Sequence, residues 1–154
     1  MKGCYMLKAK DIMTKKVITV FPDTEILQAA KVLLDNHVNG LPVVDKAGRL
    51  QGMICQSDLI SQQKKIPLPS FFLLLGSVIP LSSQQNIDKE VQKMAALKVS
   101  EAMTSAPFTV GLEASLEDIA TLMVKHQVHT LPVLDQDKLV GIIGKEDILR
   151  TLMP

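Results

Sequence analysis

Apolar residues recur with a helical period in two stretches of this chain, one in each half. In both stretches the spacings are three and four residues, which puts the apolar side chains on one face of a helix. The two predicted faces comprise Ile26, Leu27, Ala30, Leu33 and Leu34, and then Leu116, Ile119, Ala120, Met123 and Val124. Asp23 or Thr24 is expected to cap the first helix and Ser115 the second, because their side-chain oxygens can accept hydrogen bonds from free amides.

Short apolar runs rich in β-branched residues surround each of these helices and predict strands. One run precedes the helix, and two runs joined by a tight polar turn follow it, as in a hairpin. The predicted strands cover residues 17–21, 42–45, 50–55, 107–110, 131–135 and 138–143. Helices are also predicted over residues 7–13, from Asp58 onwards, and over residues 145–152.

The two halves share sequence motifs at a nearly constant offset. These motifs are Met-Thr at residues 13 and 103, Leu-Pro-Val at residues 41 and 131, and Gly-x-Ile-x-x-x-Asp at residues 52 and 141. Repeated motifs in the same order indicate a tandem duplication. Each β-α-β-β-α unit leaves one apolar face of its sheet uncovered, so two copies are expected to pack face to face. The predicted fold is a mixed α/β (α+β) pair with pseudo-twofold symmetry and two equivalent clefts.

Residues 66–81, between the copies, contain no charged side chain and include the consecutive apolar run 71–75. The segment is shorter than the ~20 residues that a membrane-spanning helix needs, and Pro67, Pro69 and Pro80 interrupt any helix. Burial against its own domain or a second subunit is one interpretation, and anchoring at a membrane surface is the other. We expect a protein contact, hence a homodimer, and no membrane insertion. Residues 88–97 then predict an amphipathic helix.

Composition narrows the class of protein. The 154 residues are 47% hydrophobic and 21% charged, typical of a globular protein. A net charge of +1 and an aromatic content of 3% argue against binding to nucleic acid. Cys4 and Cys55 are too few for a disulfide scaffold, and the amino-terminal residues lack the apolar core of a secretion signal. These features predict a cytoplasmic protein.

Catalytic and metal-binding motifs are absent from the sequence. It contains no phosphate-binding Gly-x-x-x-x-Gly-Lys-Ser/Thr, His-Glu-x-x-His, Gly-x-Ser-x-Gly or Cys-x-x-Cys motif. His126 and His129 have a spacing that a metal could use, but no third ligand lies near them in the sequence. We therefore expect neither an enzyme nor a metalloprotein, and no required cofactor.

Asp58 and Asp147 each lie in the first turn of a predicted helix, directly after a strand. A carboxylate there can simply satisfy free amides and complement the helix dipole. It could also accept two hydrogen bonds from the cis-diol of a ribose. Lys145 and His129 are expected beside Asp147 in its cleft, whereas the equivalent positions in the first repeat are Gln56 and Asn39. A phosphate group is therefore expected to prefer the cleft that contains Asp147.

The repeated motifs resemble those of the cystathionine-β-synthase-type (CBS) domain, and the pair resembles a Bateman module. The resemblance covers residues 8–60 and 98–152, which leaves an insert at 61–97. It implies a regulatory module that binds AMP, ADP, ATP or S-adenosylmethionine between its repeats and controls an unidentified partner protein. The residues that it implicates are Thr19, Asn39, Leu41, Pro42 and Asp58 in one site, and Thr109, His129, Leu131, Pro132 and Asp147 in the other. The expected preference of phosphate adds Lys145 to the second site.

Two positions depart from the pattern of this family. Cys55 and Gly144 stand three residues before the aspartates, where the family often has Ser or Thr in contact with ribose or phosphate. Both sites therefore lose a hydroxyl donor, which leaves open whether one or both of them bind a nucleotide. The alternative function is an assembly protein that acts through its apolar insert, with empty clefts.

Overall fold

The computed structural model describes residues 6–63 and 97–154. The first repeat contains helices and strands in the predicted order. Their bounds are α1 (Ala9–Ile12), α2 (Ile26–Asp35), β1 (Gly40–Val44), β2 (Leu50–Cys55) and α3 (Gln56–Gln63). The second repeat follows the same plan with one further short strand. Its elements are α4 (Val99–Ala102), β3 (Val110–Gly111), α5 (Leu116–His126), β4 (Thr130–Asp135), β5 (Lys138–Gly144) and α6 (Lys145–Arg150). The predicted mixed α/β architecture of two repeats is confirmed.

A two-stranded antiparallel hairpin forms the centre of each repeat. Strand β1 pairs with β2 from Gly40–Cys55 to Val44–Leu50, and β4 pairs with β5 from Thr130–Gly144 to Asp135–Lys138. Strand β1 is buried along its whole length, since Gly-Leu-Pro-Val-Val offers no polar side chain to solvent. The hairpins therefore provide the cores on which the helices pack.

The strand predicted before each hairpin is much shorter than the apolar pattern indicated. In the second repeat β3 is two residues long and pairs in parallel with β4. In the first repeat the counterpart is a single bridge, in which the amide of Val20 donates to the Pro42 carbonyl and that of Val44 to the Val20 carbonyl, both at 3.0 Å. The predictions for residues 17–21 and 107–110 were wrong in extent, because the chain leaves the sheet and exposes Phe21 and Phe108.

Helices α2 and α5 each bury a narrower face than predicted. Ile26, Ala29, Ala30 and Leu33 are buried on α2, and Ile119 and Met123 on α5. The assignments of Leu34 and Val124 to the buried faces were wrong, because these side chains are 52% and 80% exposed. Leu34 and Val124 occupy equivalent positions in the two repeats. Each lies at the solvent-exposed edge of the apolar face of its helix.

The two predicted helix caps differ in outcome. Ser115 is confirmed as the cap of α5, since its Oγ accepts the amide of Asp118 at 3.1 Å. The expectation of Asp23 or Thr24 as the cap of α2 was wrong, because the helix begins at Ile26 and Glu25 precedes it without a side-chain cap. Thr24 Oγ1 instead accepts the amide of Phe21 at 3.1 Å and closes the preceding turn.

The short lead-in helices pack on the opposite repeat. Ala9 of α1 is fully buried in the core around Ile119 and Leu131, and Val99 of α4 in the core around Ile26 and Leu41. Backbone hydrogen bonds hold both crossings. The Ala9 amide donates to the Ala114 carbonyl at 2.8 Å, and the Val99 amide to the Thr24 carbonyl at 2.8 Å. Each core is therefore completed by a segment from the other half of the sequence.

The repeated Met-Thr and Gly-x-Ile motifs meet at these crossings. Thr14 and Ile142 exchange backbone hydrogen bonds of 2.8 and 3.0 Å, and Thr104 and Met53 do the same. The preceding methionines, Met13 and Met103, pack directly on Gly141 and Gly52. A Cβ at Gly52 would lie 2.6 Å from the Thr104 carbonyl oxygen and 2.8 Å from Met103 Sδ. The glycines are needed because the opposite repeat approaches their backbone so closely.

The predictions for the apolar insert 66–81, for Cys4 and for residues 88–96 of the helix predicted over residues 88–97 lie outside the described residues. Within residues 6–63 and 97–154, no helix combines the length and apolarity required to cross a bilayer. The expected cytoplasmic location stays a prediction.

Candidate functional site

Two clefts lie between the repeats, and each takes its walls from both. The first, which we name the Asp147 cleft, has a volume of about 290 Å³. The first repeat contributes Lys16, Ile18, His37, Asn39 and Leu41 to its lining, and the second contributes His129, Gly144, Lys145, Glu146, Asp147 and Arg150. The aspartate at the start of α6 therefore faces the early segment and the helix-to-strand loop of the other repeat.

The second cleft, which we name the Asp58 cleft, is larger, at about 520 Å³. Asn39, Met53, Cys55, Gln56, Ser57, Asp58 and Ile60 line it from the first repeat, and Ala106, Phe108, Gln127, His129 and Thr130 from the second. Pockets for small molecules usually measure about 300–1,000 Å³, so both clefts are of a size for a ligand. The duplication thus produces two related sites.

The two aspartates are held in the same way. Asp58 Oδ2 accepts the amide of Cys55 at 2.7 Å, and Asp147 Oδ2 accepts that of Gly144 at 2.7 Å. Each bond satisfies the last backbone amide of the preceding strand, β2 or β5. The aspartates therefore have the structural role of satisfying free amides. Each carboxylate nevertheless keeps a second oxygen at a cleft. A fixed acceptor at that position suits a hydroxyl donor of a ligand.

Burial changes the ionisation of two groups in the Asp58 cleft. It raises the pKa of Asp58 above the usual 3.8, and the hydrogen bond from the Cys55 amide opposes this effect. Burial, followed by the negative charge of Asp58, raises the pKa of Cys55 to about 11. The Cys55 thiol is therefore neutral at physiological pH, which makes it a poor nucleophile and a poor metal ligand.

The clefts join residues from both repeats, so the predicted grouping of site residues by repeat is incomplete. Leu41, which the prediction placed with Asp58, lines the Asp147 cleft, and His129, which it placed with Asp147, lines both clefts. The reason is that each cleft takes its walls from both repeats, so neither aspartate is surrounded by residues of its own repeat alone. Asn39 likewise lines both clefts.

The remaining predicted residues lie in the hydrophobic core or outside the clefts. Leu131, Pro42 and Pro132 are fully buried and belong to the hairpins. Thr19 and Thr109 are exposed and do not belong to the linings that the described residues form. Their neighbours Ile18 and Phe108 face the clefts instead.

Sequence reasoning missed three basic side chains of the Asp147 cleft, Lys16, His37 and Arg150. Arg150 lies 4.0 Å from Asp147 Oδ1, but its side chain is 74% exposed, so this ion pair is weak. Lys16 and Lys145 form no ion pair with any other described residue. The sequence carried no signal for Lys16 and His37, because they reach the cleft from the other repeat.

His126, one of the two histidines whose spacing a metal could use, has a structural role instead. Its ring stacks on that of Phe108 with a centroid distance of 4.0 Å and an interplanar angle of 23°. In the part of the chain that the structure describes, no three His, Cys, Asp or Glu side chains come together in a way that could hold a metal ion.

Two similar repeats that share cores and enclose a ligand-sized cleft on each side define a tandem-repeat binding module. Protein-family comparison agrees, since the model described as "CBS domain" matches residues 9–65 and again residues 99–154. The chain belongs to the CBS domain family and contains a pair of these domains.

Relatives of similar length share this organisation. The uncharacterized protein MJ1426 of Methanocaldococcus jannaschii is 30% identical, over 94% of this chain and 90% of the relative. The structure of CBSX2 in complex with AMP superposes with a TM-score of 0.72 at 26% identity, over 95% of this chain and 96% of the other. The CBS domain pair of protein MJ0100, in complex with 5′-methylthioadenosine and S-adenosyl-L-methionine, gives a TM-score of 0.68 at 27% identity, over 96% of both chains.

Proposed function

We propose that this protein is a regulatory module, not an enzyme, and that it binds an adenosine-containing ligand between its two CBS repeats. The observation that carries the proposal is the Asp147 cleft, where a fixed carboxylate lies beside two lysines without ion pairs in the described structure. Two neighbours of the same fold were solved with AMP or with 5′-methylthioadenosine and S-adenosylmethionine. Adenosine is common to all three ligands.

The lining of the Asp147 cleft divides into parts that match the parts of a nucleotide. Asp147 would accept hydrogen bonds from the ribose hydroxyls, since its Oδ1 is not used by the Gly144 amide. Lys16 and Lys145 would neutralise a phosphate, and hydrogen bonds to charged groups are the stronger kind. Ile18 and Val17 provide an apolar surface for the base.

Regulation would follow from the position of the ligand between the repeats. Because both repeats supply each cleft, a ligand that prefers one relative arrangement of the repeats shifts the population towards it. A partner protein could then recognise that arrangement.

Assembly is a second role that one observation favours. The groove between α5 and α6 has a volume of about 500 Å³ and an apolar lining that includes Met123, Val124, Ile148 and Leu149. Val124 and Leu149 are 80% and 57% exposed. Exposed apolar surfaces of this kind mark protein contacts, which supports a homodimer.

The proposed nucleotide site is tested by titration calorimetry with AMP and the variant Asp147→Asn. Asparagine retains an oxygen that can accept the Gly144 amide, so the fold is kept while the charge is lost. Asp147→Asn is expected to weaken AMP binding about tenfold or more, as for the loss of one charge-assisted hydrogen bond.

Asp23→Asn is the matched control, because Asp23 is exposed and lies outside both clefts. It is expected to bind AMP as the wild type does. Absence of binding of AMP, ADP, ATP and S-adenosylmethionine by the wild type at millimolar concentration would refute the proposed function.

A further inference from the structure

The two clefts differ in charge although they come from the same duplicated unit. Four basic side chains that line the Asp147 cleft have uncharged counterparts at the equivalent positions of the other repeat. The pairs are Lys16 and Ala106, His37 and Gln127, Lys145 and Gln56, and Arg150 and Ser61. The divergence therefore involves several positions of one surface rather than one residue.

The balance of charge has opposite signs in the two clefts. Lys16, Lys145 and Arg150 face Glu146 and Asp147 in one of them. Among the described residues that line the Asp58 cleft, Asp58 is the one carboxylate, and no lysine or arginine accompanies it. A phosphate placed there would meet a carboxylate of like charge, with His129 as the sole nearby group able to become cationic in the described lining. Like charges at close range repel, most strongly where water is partly excluded.

The walls of the Asp58 cleft are also more apolar. Met53, Cys55, Ile60 and Phe108 contribute to its lining, and Phe108 is 43% exposed. An aromatic face attracts a cation such as a sulfonium, and it makes favourable contacts with a thioether sulfur. The greater volume, about 520 Å³ against about 290 Å³, also leaves space for a sulfonium substituent, which is bulkier than a thioether.

We propose that the two clefts select different adenosine derivatives, the Asp147 cleft one with a phosphate and the Asp58 cleft one with a neutral or cationic 5′ substituent such as a thioether or sulfonium. This inference rests on the proposed function, because both ligands contain adenosine. Discrimination arises at the 5′ position, while Asp58 and Asp147 provide the same carboxylate for ribose in both clefts. The module would thus respond to two chemically distinct signals.

The first experiment compares AMP with 5′-methylthioadenosine by calorimetry on the full chain, with the variants Asp58→Asn and Asp147→Asn. We expect about one AMP per chain, and an AMP affinity that falls about tenfold in Asp147→Asn but stays unchanged in Asp58→Asn. The affinity for 5′-methylthioadenosine is expected to fall in Asp58→Asn alone.

The second experiment transfers the charge pattern from one cleft to the other. Gln56→Lys combined with Ala106→Lys places lysines at the positions equivalent to Lys145 and Lys16, and both residues are exposed. The variant is expected to bind two AMP molecules per chain instead of one. Gln28→Lys with Ser100→Lys adds the same charge at exposed positions outside the two clefts and is expected to leave the stoichiometry unchanged.

The outcomes separate this inference from the proposed function. Two AMP molecules per wild-type chain, with equal losses in Asp58→Asn and Asp147→Asn, would overturn the inference and leave the function intact. The same holds if Asp58→Asn leaves 5′-methylthioadenosine binding unchanged, or if the two-lysine variant still binds one AMP. Failure of the wild type to bind any adenosine derivative would remove the proposed function itself.

Discussion

At the scale of single residues, Gly52 in β2 and Gly141 in β5 show how a distant part of the chain can require a glycine at a given position. The backbone of Thr104 passes so close to Gly52 that a methyl group cannot fit without movement of the backbone. At Gly141 the obstacle is the Met13 side chain, which has more freedom to move. The conformation of the glycines is not the reason, since neither has a positive φ angle.

Gly52→Ala is therefore expected to lower the free energy of unfolding by about 1–3 kcal/mol, the usual cost of overpacking. Gly141→Ala should cost less, because a side chain can yield where a backbone cannot. Gly111→Ala is the control, since a Cβ there would have no neighbour within 4 Å. Urea denaturation measures all three, and a Gly52→Ala variant as stable as Gly111→Ala would show that the two repeats do not approach as described.

Asp58 illustrates a conflict between stability and a candidate binding role. Burial raises the pKa of its carboxyl, so the folded state holds the proton more tightly than the unfolded chain. Its contribution to stability therefore falls as the pH rises from about the unfolded pKa of 3.8 through the higher folded pKa. At neutral pH the charge opposes folding.

Asp58→Asn is expected to melt at or above the wild-type temperature at neutral pH, because the amide oxygen can still accept the Cys55 amide while the buried charge is gone. The difference should shrink as the pH falls towards 3.8 and disappear near pH 3, where the carboxyl is largely protonated in both states. Thermal melts between pH 3 and pH 7, with Asp23→Asn as control, measure this. A variant that melts lower than the wild type at neutral pH would mean that the charged hydrogen bond outweighs burial.

At the scale of elements, the crossing of the short helices α1 and α4 is the feature that joins the two halves. Each helix has four residues, too few for stability on its own, so it depends on burial in the opposite core. The backbone bonds around Ala9 and Val99 fix both crossings. Two ion pairs of Glu113, with Lys8 and Lys10, lie at one of them and lower the pKa of Glu113 to about 2.

Val99→Ala tests the crossing, because it removes methyl groups from a fully buried side chain in the core of the first repeat. We expect a loss of about 1–3 kcal/mol in stability. Hydrogen exchange should show the larger loss of amide protection in α2 and β1, although Val99 precedes the second repeat in sequence. Loss of protection mainly in α5 and β4 would contradict the crossing.

At the scale of the whole molecule, the outer helices leave apolar side chains in symmetric positions. Leu34 and Val124 are equivalent residues of α2 and α5, and Ile60 and Leu149 are equivalent residues of α3 and α6. All four are more than half exposed, from 52% to 80%. Such side chains on both repeats favour association with another copy.

Val124→Lys with Leu149→Lys is expected to convert a dimer to a monomer in sedimentation analysis, because it places two charges in the groove between α5 and α6. Gln28→Lys with Ser100→Lys carries the same added charge elsewhere and should sediment as the wild type. If the groove variant also sediments as the wild type, the contact lies elsewhere, and the apolar insert 66–81 becomes the surface to test.

The sequence by itself determined the duplication, the type and order of most elements, and the family resemblance. These depend on local patterns. The period of apolar residues defines helices such as α2 and α5, turn residues define the hairpins, and Asp58 and Asp147 mark the starts of helices after buried strands. Predictions that depend on tertiary burial were wrong. Leu34 and Val124 are exposed although they were assigned to buried faces, and β3 is shorter than predicted.

Only the tertiary structure decided which residues share a cleft. Lys16 and Asp147 are far apart in sequence but line the same cleft, and so do Phe108 and Asp58. The physical reason is that two sheets with uncovered apolar faces must pack on each other, and the lead-in helices cross to complete the opposite cores. That packing brings the early segment of one repeat against the aspartate of the other, which no spacing within one repeat could reveal.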